Sequence, residues 1–106
     1  MLSNKYVKSR NCVKVTFELP TDALPEEVTP EEVAVVGEFN DWDPTATQMQ
    51  PLKTRDAYQA TVEFEPGAAY QFRYLVNGNL WLNDPAAHDY IPNGLGAENS
   101  VVLATA

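Results

Sequence analysis

Trp42 and Trp81 stand where the chain is otherwise heading for water. Trp42 lies in Gly37-Glu38-Phe39-Asn40-Asp41-Trp42-Asp43-Pro44, a string of turn formers that follows a hydrophobic strand, and Trp81 comes just before Asn83-Asp84-Pro85. An indole is a wide, flat, electron-rich face that attracts weakly positive C–H groups, and its N–H still reaches a partner or water. Such faces suit binding rather than bond-breaking chemistry. The position of Trp42 leaves two fates open: a lid folded back on the core, or a platform turned outward.

Bond-breaking chemistry finds little support. Asp41 and Asp43 suggest a carboxylate pair, but two carboxylates that share catalytic work must be held ~5–10 Å apart across a shaped cleft. A short acidic turn does not provide that. His88, in Asn83-Asp84-Pro85-Ala86-Ala87-His88, has no nucleophile near it in sequence and reads as an ordinary loop histidine. Asp41, Asp43 and Asp84 lack the spacing of a calcium loop. Cys12 is the only cysteine, so there is no internal disulfide and no Cys-rich metal site. It reads as a reduced thiol half in the core. No enzyme activity, metal or cofactor is expected.

A chain of 106 residues buries a modest core and has no room for a cleft between two domains. The net charge of −8 would repel phosphate backbones, which argues against a nucleic-acid partner. Lys5, Lys8, Arg10 and Lys14 precede the first acid. Residues 1–9 are therefore expected as a flexible basic arm that is solvated rather than bound, and residues 10–106 as a single domain. The run Val33-Ala34-Val35-Val36 is far too short to span a bilayer, so no membrane partner is expected. The N-terminus has basic residues without the apolar stretch of a secretory signal, which predicts a cytoplasmic location.

The elements that must carry these side chains read as strands. Val13, Val15, Phe17 and Leu19 alternate with polar residues, the period of a half-buried strand. Thr21 to Glu32 is an acidic, proline-rich connector with at most one helical turn. Val33 to Phe39 is apolar on both faces, which suits a central strand. The stretch 42–55 is irregular, with Met49 and Leu52 plugging one end of the core. Tyr58, Ala60, Val62 and Phe64 alternate, turn at Pro66-Gly67 and alternate again through Tyr70, Phe72, Tyr74 and Val76, which predicts a hairpin. Leu80 to Asn83 gives a short strand, and a loop rich in Pro, Asn and Gly leads to a last strand over 100–104. Close turn signals and no convincing helix predict an all-β, immunoglobulin-like antiparallel sandwich of six to eight strands.

Strand parity sharpens the position of Trp81. If Tyr70, Phe72, Tyr74 and Val76 point inward, Gln71, Arg73 and Leu75 point outward. A two-residue Asn77-Gly78 turn pairs Trp81 with Tyr74 and buries it; a three-residue loop pairs it with Leu75, on the face of Arg73. Leu80 and Leu82 are the better core candidates, and Asn79 tolerates the left-handed conformation such a loop wants, so the longer loop is predicted.

The ordered strings Val33–Pro44, Tyr70–Pro85 and Asn93–Leu103 resemble the early-set modules of glycogen- and starch-processing enzymes, grouped as family 48 carbohydrate-binding modules or isoamylase early-set domains. Within that group the chain looks especially like the glycogen-binding domain of the AMP-activated kinase β subunit, over roughly residues 10–104. The resemblance implies a non-catalytic domain that holds α-1,4-linked glucan: glycogen, starch or maltooligosaccharide. It implies carbohydrate-binding roles for Trp42, Arg73 and Trp81, and for Leu95 and Asn99 in the loop before the last strand. It also favours the platform over the lid for Trp42. Where the kinase domain has a threonine and a lysine, this chain has Ala97 and Arg73, and the guanidinium brings different geometry. Competing roles stay open: an ion pair of Arg73 with Glu63 or Glu65, a loop tether at Leu95, and, for the whole domain, docking onto a glycan-processing enzyme or another protein through the same aromatics.

Overall fold

The structure is a computed structural model and describes residues 2–54, 56–85, 87–94 and 97–104. Two antiparallel sheets pack face to face. The first has the order β1 (Leu2–Val7), β2 (Cys12–Pro20), β5 (Ala57–Phe64), β4 (Gln50–Pro51). The second has the order β3 (Val33–Gly37), β6 (Ala68–Val76), β9 (Glu98–Ala104), β8 (Asp89–Pro92), with β7 (Leu80–Leu82) also paired to β6. This is the all-β, immunoglobulin-like sandwich that the alternation predicts, with nine strands among the described residues where six to eight were expected.

The core follows from period-two patterning. Val13, Val15, Phe17 and Leu19 of β2 are buried and meet Phe72, Tyr74 and Val76 of β6, with Val102 and Ala104 of β9 alongside. Phe17 is its hub: its ring lies edge-on to Phe72 at 5.0 Å and stacks on Phe39 at 5.6 Å. Each such side chain taken out of water contributes about 1.5–3 kcal/mol. Met49 is buried in the core as expected, whereas Leu52 is only half-buried and does not pack against that cluster.

Several local expectations are corrected. β5 and β6 do not form a hairpin: β5 pairs with β2 and β4, whereas β6 pairs with β3, β7 and β9. Pro66-Gly67 carries the chain from one sheet to the other, with Gly67 at φ +91 donating its N–H to Ala104 O at 2.7 Å. Alternation specifies a buried face, not the strand beside it. Nor is β3 central. It ends the second sheet, and its outer edge is covered by the segment after Trp42, through Val35 N–H to Thr47 O (3.1 Å) and Met49 N–H to Val33 O (2.8 Å). That cover shields an edge that would otherwise invite pairing with another chain, while Val33 and Val35 pack into the core and Ala34 and Val36 cluster with Leu75 on the other face.

The first residues, expected as a free arm, form β1 and pair with β2 from Leu2↔Phe17 to Val7↔Cys12. Their side chains are mostly exposed, so apolar patterning is weak; backbone pairing and an Asn4 Nδ2–H bond to Leu103 O at 2.7 Å hold the strand. The Pro-, Asn- and Gly-rich segment expected as a loop contains β8, whose four residues are all exposed and leave no apolar stripe. The connector has its one helical turn at Thr21–Ala23 and not at the glutamates.

Candidate functional site

The outer face of β6 supplies the floor. Leu75 pairs with Trp81 and Val76 with Leu80, so Asn77-Gly78-Asn79 is the three-residue loop and Trp81 lies on the Arg73 side of the sheet. The left-handed residues are Asn77 (φ +54) and Gly78 (φ +73), not Asn79, whose N–H closes the turn onto Val76 O. Asn77 is fixed there because its Oδ1 accepts from the backbone N–H groups of Glu31 (2.8 Å) and Glu32 (3.1 Å). Trp81 is 40% exposed, and the Arg73 guanidinium carbon stands 5.8 Å from its ring centroid, a cation–π contact.

Arg73 does not take the ion pair that a β5–β6 hairpin would have allowed. Glu63 lies on the other sheet and pairs with Arg10 at 2.6 Å. Arg73 Nε is buried and has no hydrogen-bond partner among the described residues.

Trp42 reaches the same face from a loop. Asn40 organises that loop: its Oδ1 accepts from Gly37 N–H (3.0 Å), and its Nδ2 donates to Val35 O (3.0 Å) and Thr47 Oγ1 (3.1 Å). Trp42 N–H returns to Gly37 O at 2.9 Å. Asp41 and Trp42 both have φ +57, a left-handed conformation rare for a residue as large as tryptophan and costing on the order of 1–3 kcal/mol. Asp43 closes the far side of the turn by accepting from Thr45 N–H (2.9 Å) and Oγ1–H (2.8 Å), and these bonds hold its carboxyl below the ordinary carboxylate range. Gly37 is required for space: a Cβ there would lie 2.5 Å from Gln71 O and 2.8 Å from Phe72 Cβ.

The opposite rim comes from β8 and β9, where Ile91 pairs with Asn99. Asn99 is buried to 9% exposure; it donates to Gln71 Oε1 at 3.0 Å and accepts from Asn93 Nδ2 at 3.4 Å. Beneath the rim, fully buried Asp84 accepts from Tyr74 O–H at 2.6 Å, while its own N–H reaches Ser100 Oγ at 2.9 Å. Tyr90 O–H donates to Asp84 O. Burial first, then the neighbouring Asp84 carboxylate, pushes the Tyr74 hydroxyl pKa far up.

Together these elements enclose an open groove of about 750 Å³ lined by Trp42, Trp81, Arg73 and Asn99. Four of the five residues singled out in the sequence meet in it; Leu95 lies outside the described residues. Glu38, Gln71, Ile91, Pro92 and Asn93 also line the groove and were not singled out. Gln71 was within reach, since it shares the outward parity of Arg73. Ile91 was not, because its strand was read as loop. His88 accepts from Leu103 N–H at Nδ1 (2.8 Å) and so helps tie the β8 end to β9. Among the described residues no cluster of His, Cys, Asp and Glu is placed to hold a metal ion, and no helix is long and apolar enough to cross a membrane.

The described residues thus form an open aromatic groove on a small sandwich, with polar groups at its edges. Residues 29–87 match the family model of carbohydrate-binding module 48, the isoamylase N-terminal domain, and the chain belongs to that family of carbohydrate-binding proteins. The matched span contains Trp42, Arg73 and Trp81 and stops before β8 and β9. No curated protein matches the chain in sequence.

Among solved structures the chain is similar to the ferric enterobactin esterase of Salmonella typhimurium, with a TM-score of 0.74 at 11% identity over 97% of this chain and 34% of that one. It is likewise similar to the enterobactin esterase of Shigella flexneri, crystallised in the presence of 2,3-dihydroxy-N-benzoyl-serine, with a TM-score of 0.74 at 16% identity over 97% and 32%. At such identities the likeness shows the fold alone, and the chain spans about a third of the length of these esterases.

Proposed function

We propose that the groove binds α-1,4-linked glucan, as glycogen, starch or maltooligosaccharide, with Trp42 and Trp81 as the stacking platform. The observation that carries this reading is that two exposed indoles, anchored on different elements, open onto one groove that Arg73 also lines. A glucose ring has C–H groups on its faces and hydroxyls on its rim, so it needs a flat apolar surface and donors or acceptors at the edge. Arg73 steadies Trp81 and brings unspent donors to the groove, while Asn99, Gln71 and Asn93 form an amide row along its floor. Leu95 is assigned to the same site on the family resemblance alone. The free Cys12 thiol suits a reducing, cytoplasmic setting.

The expected strength is modest. Covering ~100–150 Å² of apolar ring surface supplies roughly 3 kcal/mol, and each exposed hydrogen bond adds about 1 kcal/mol. After the cost of association, a dissociation constant of about 10 µM to 1 mM for a short oligosaccharide follows. Tryptophan fluorescence titrated with maltooligosaccharide, alongside a β-linked glucose oligomer as control, tests the reading. A saturable response to the α-linked sugar, lost in Trp42→Ala and in Trp81→Ala, supports it. No response at millimolar sugar would leave docking to a glycan-processing enzyme or other protein as the better account.

A further inference from the structure

A second groove, of about 360 Å³, opens beside the first, and Trp81 lines both. Its floor is Ala34 and Leu75, which with Val36 form a small apolar cluster on the outer face of the second sheet, apart from the main core. Pro44 adds a wall from the Trp42 loop, and Glu32 and Gln48 bring a carboxylate and an amide. Gln48 Nε2 spends one bond on Pro44 O at 3.0 Å, which leaves its Oε1 and a second N–H for a ligand. Apolar floor, indole wall and hydrogen-bonding edge repeat the composition of the larger groove, within the ~300–1,000 Å³ range of small-ligand sites. Its single charge, Glu32, favours hydroxyl groups and opposes anions.

Two grooves that share one indole can be occupied by one chain-like ligand. We infer that the second groove is an extension subsite that takes further glucose units of a glucan already stacked at Trp81, with Glu32 and Gln48 accepting and donating at their hydroxyls. This rests on the α-glucan reading of the first groove, and adds to it a dependence on chain length with named residues behind it.

Maltotriose and maltoheptaose titrated into the wild-type chain and into the double variant Glu32→Ala/Gln48→Ala provide the test. The wild type should bind the longer sugar roughly tenfold more tightly than the shorter, and the variant should keep its maltotriose affinity while the gain shrinks to about twofold. In the wild type, the Gly78 amide, which lines only the second groove, should shift in NMR spectra with maltoheptaose and not with maltotriose; that of Gln71, in the first groove, should shift with both. A length gain undiminished in the variant, or a Gly78 amide unmoved by maltoheptaose, overturns the extension subsite and leaves the first groove standing. Failure of both sugars to bind the wild type overturns the two together.

Discussion

Trp42 and Trp81 have nearly equal exposure, 37% and 40%, and open onto the same groove, yet opposite means hold them there. Trp81 sits in a strand whose pairing with β6 decides its face, so the sheet positions it without local strain. Trp42 sits in a loop with left-handed backbone, kept in place by the Asn40 side chain and by the loop's docking along β3. One arm inherits the stability of the sheet, whereas the other spends local stability to aim a side chain. Damage to the loop should therefore fall on Trp42 first, and damage to β6 or the Asp84 network on Trp81 and the rim.

The largest effect is expected at the base of the Trp42 arm. Gly37→Ala forces a Cβ against backbone and should cost about 1–3 kcal/mol in urea unfolding, more than Gly78→Ala in the Trp81 hairpin. Gly78 has open space around it and only its φ of +73 to accommodate, so alanine there should cost about 1 kcal/mol. Equal losses would remove the distinction between the two arms. Asn40→Ala, which strips partners from Gly37 N–H and Val35 O, should also cost about 1–3 kcal/mol. It should shift Trp42 emission while leaving the NMR signals of the β6–β7 hairpin in place.

Beneath the Trp81 side, Tyr74→Phe removes one buried hydrogen bond to Asp84 and should cost about 1–3 kcal/mol. It also carries a pH signature. The hydroxyl pKa is raised in the fold, so its neutral form is favoured there; that stability is complete below about pH 10 and declines as pH rises above it. Thermal melts between pH 8 and 11 should show a steeper loss for the wild type than for Tyr74→Phe.

The smallest effect is at Asp43, whose pKa is lowered by its bonds to Thr45. Its contribution is present above the ordinary carboxylate pKa of about 3.9 and lost as pH falls below it. Trp42 emission should change between about pH 4 and 2 and that change should vanish in Asp43→Asn, with the β6–β7 hairpin unaffected.

The same contrast explains what could be read from the chain. Trp81 was legible because period-two parity confined it to two registers, and its two flanking leucines favoured the three-residue loop over the two-residue turn. The buried faces of β2, β5 and β6 were legible for the same reason. The partner of β5 was not, since one pattern of alternation serves a hairpin and a crossing between sheets equally. β1 and β8 escaped because backbone pairing and scattered polar contacts hold them, and neither leaves an apolar stripe. For Trp42, the residue types announced a turn, but its exposed position depends on bonds from Asn40 to Val35 and Thr47, which no local spacing encodes.

The chain has two tryptophans and thus two indole N–H signals, so a heteronuclear NMR titration with maltoheptaose tests the shared platform most directly. Both signals should move, in parallel, with one dissociation constant between about 10 µM and 1 mM. Movement of one indole alone, separate constants for the two, or no movement at millimolar sugar would contradict a single glucan site built from both.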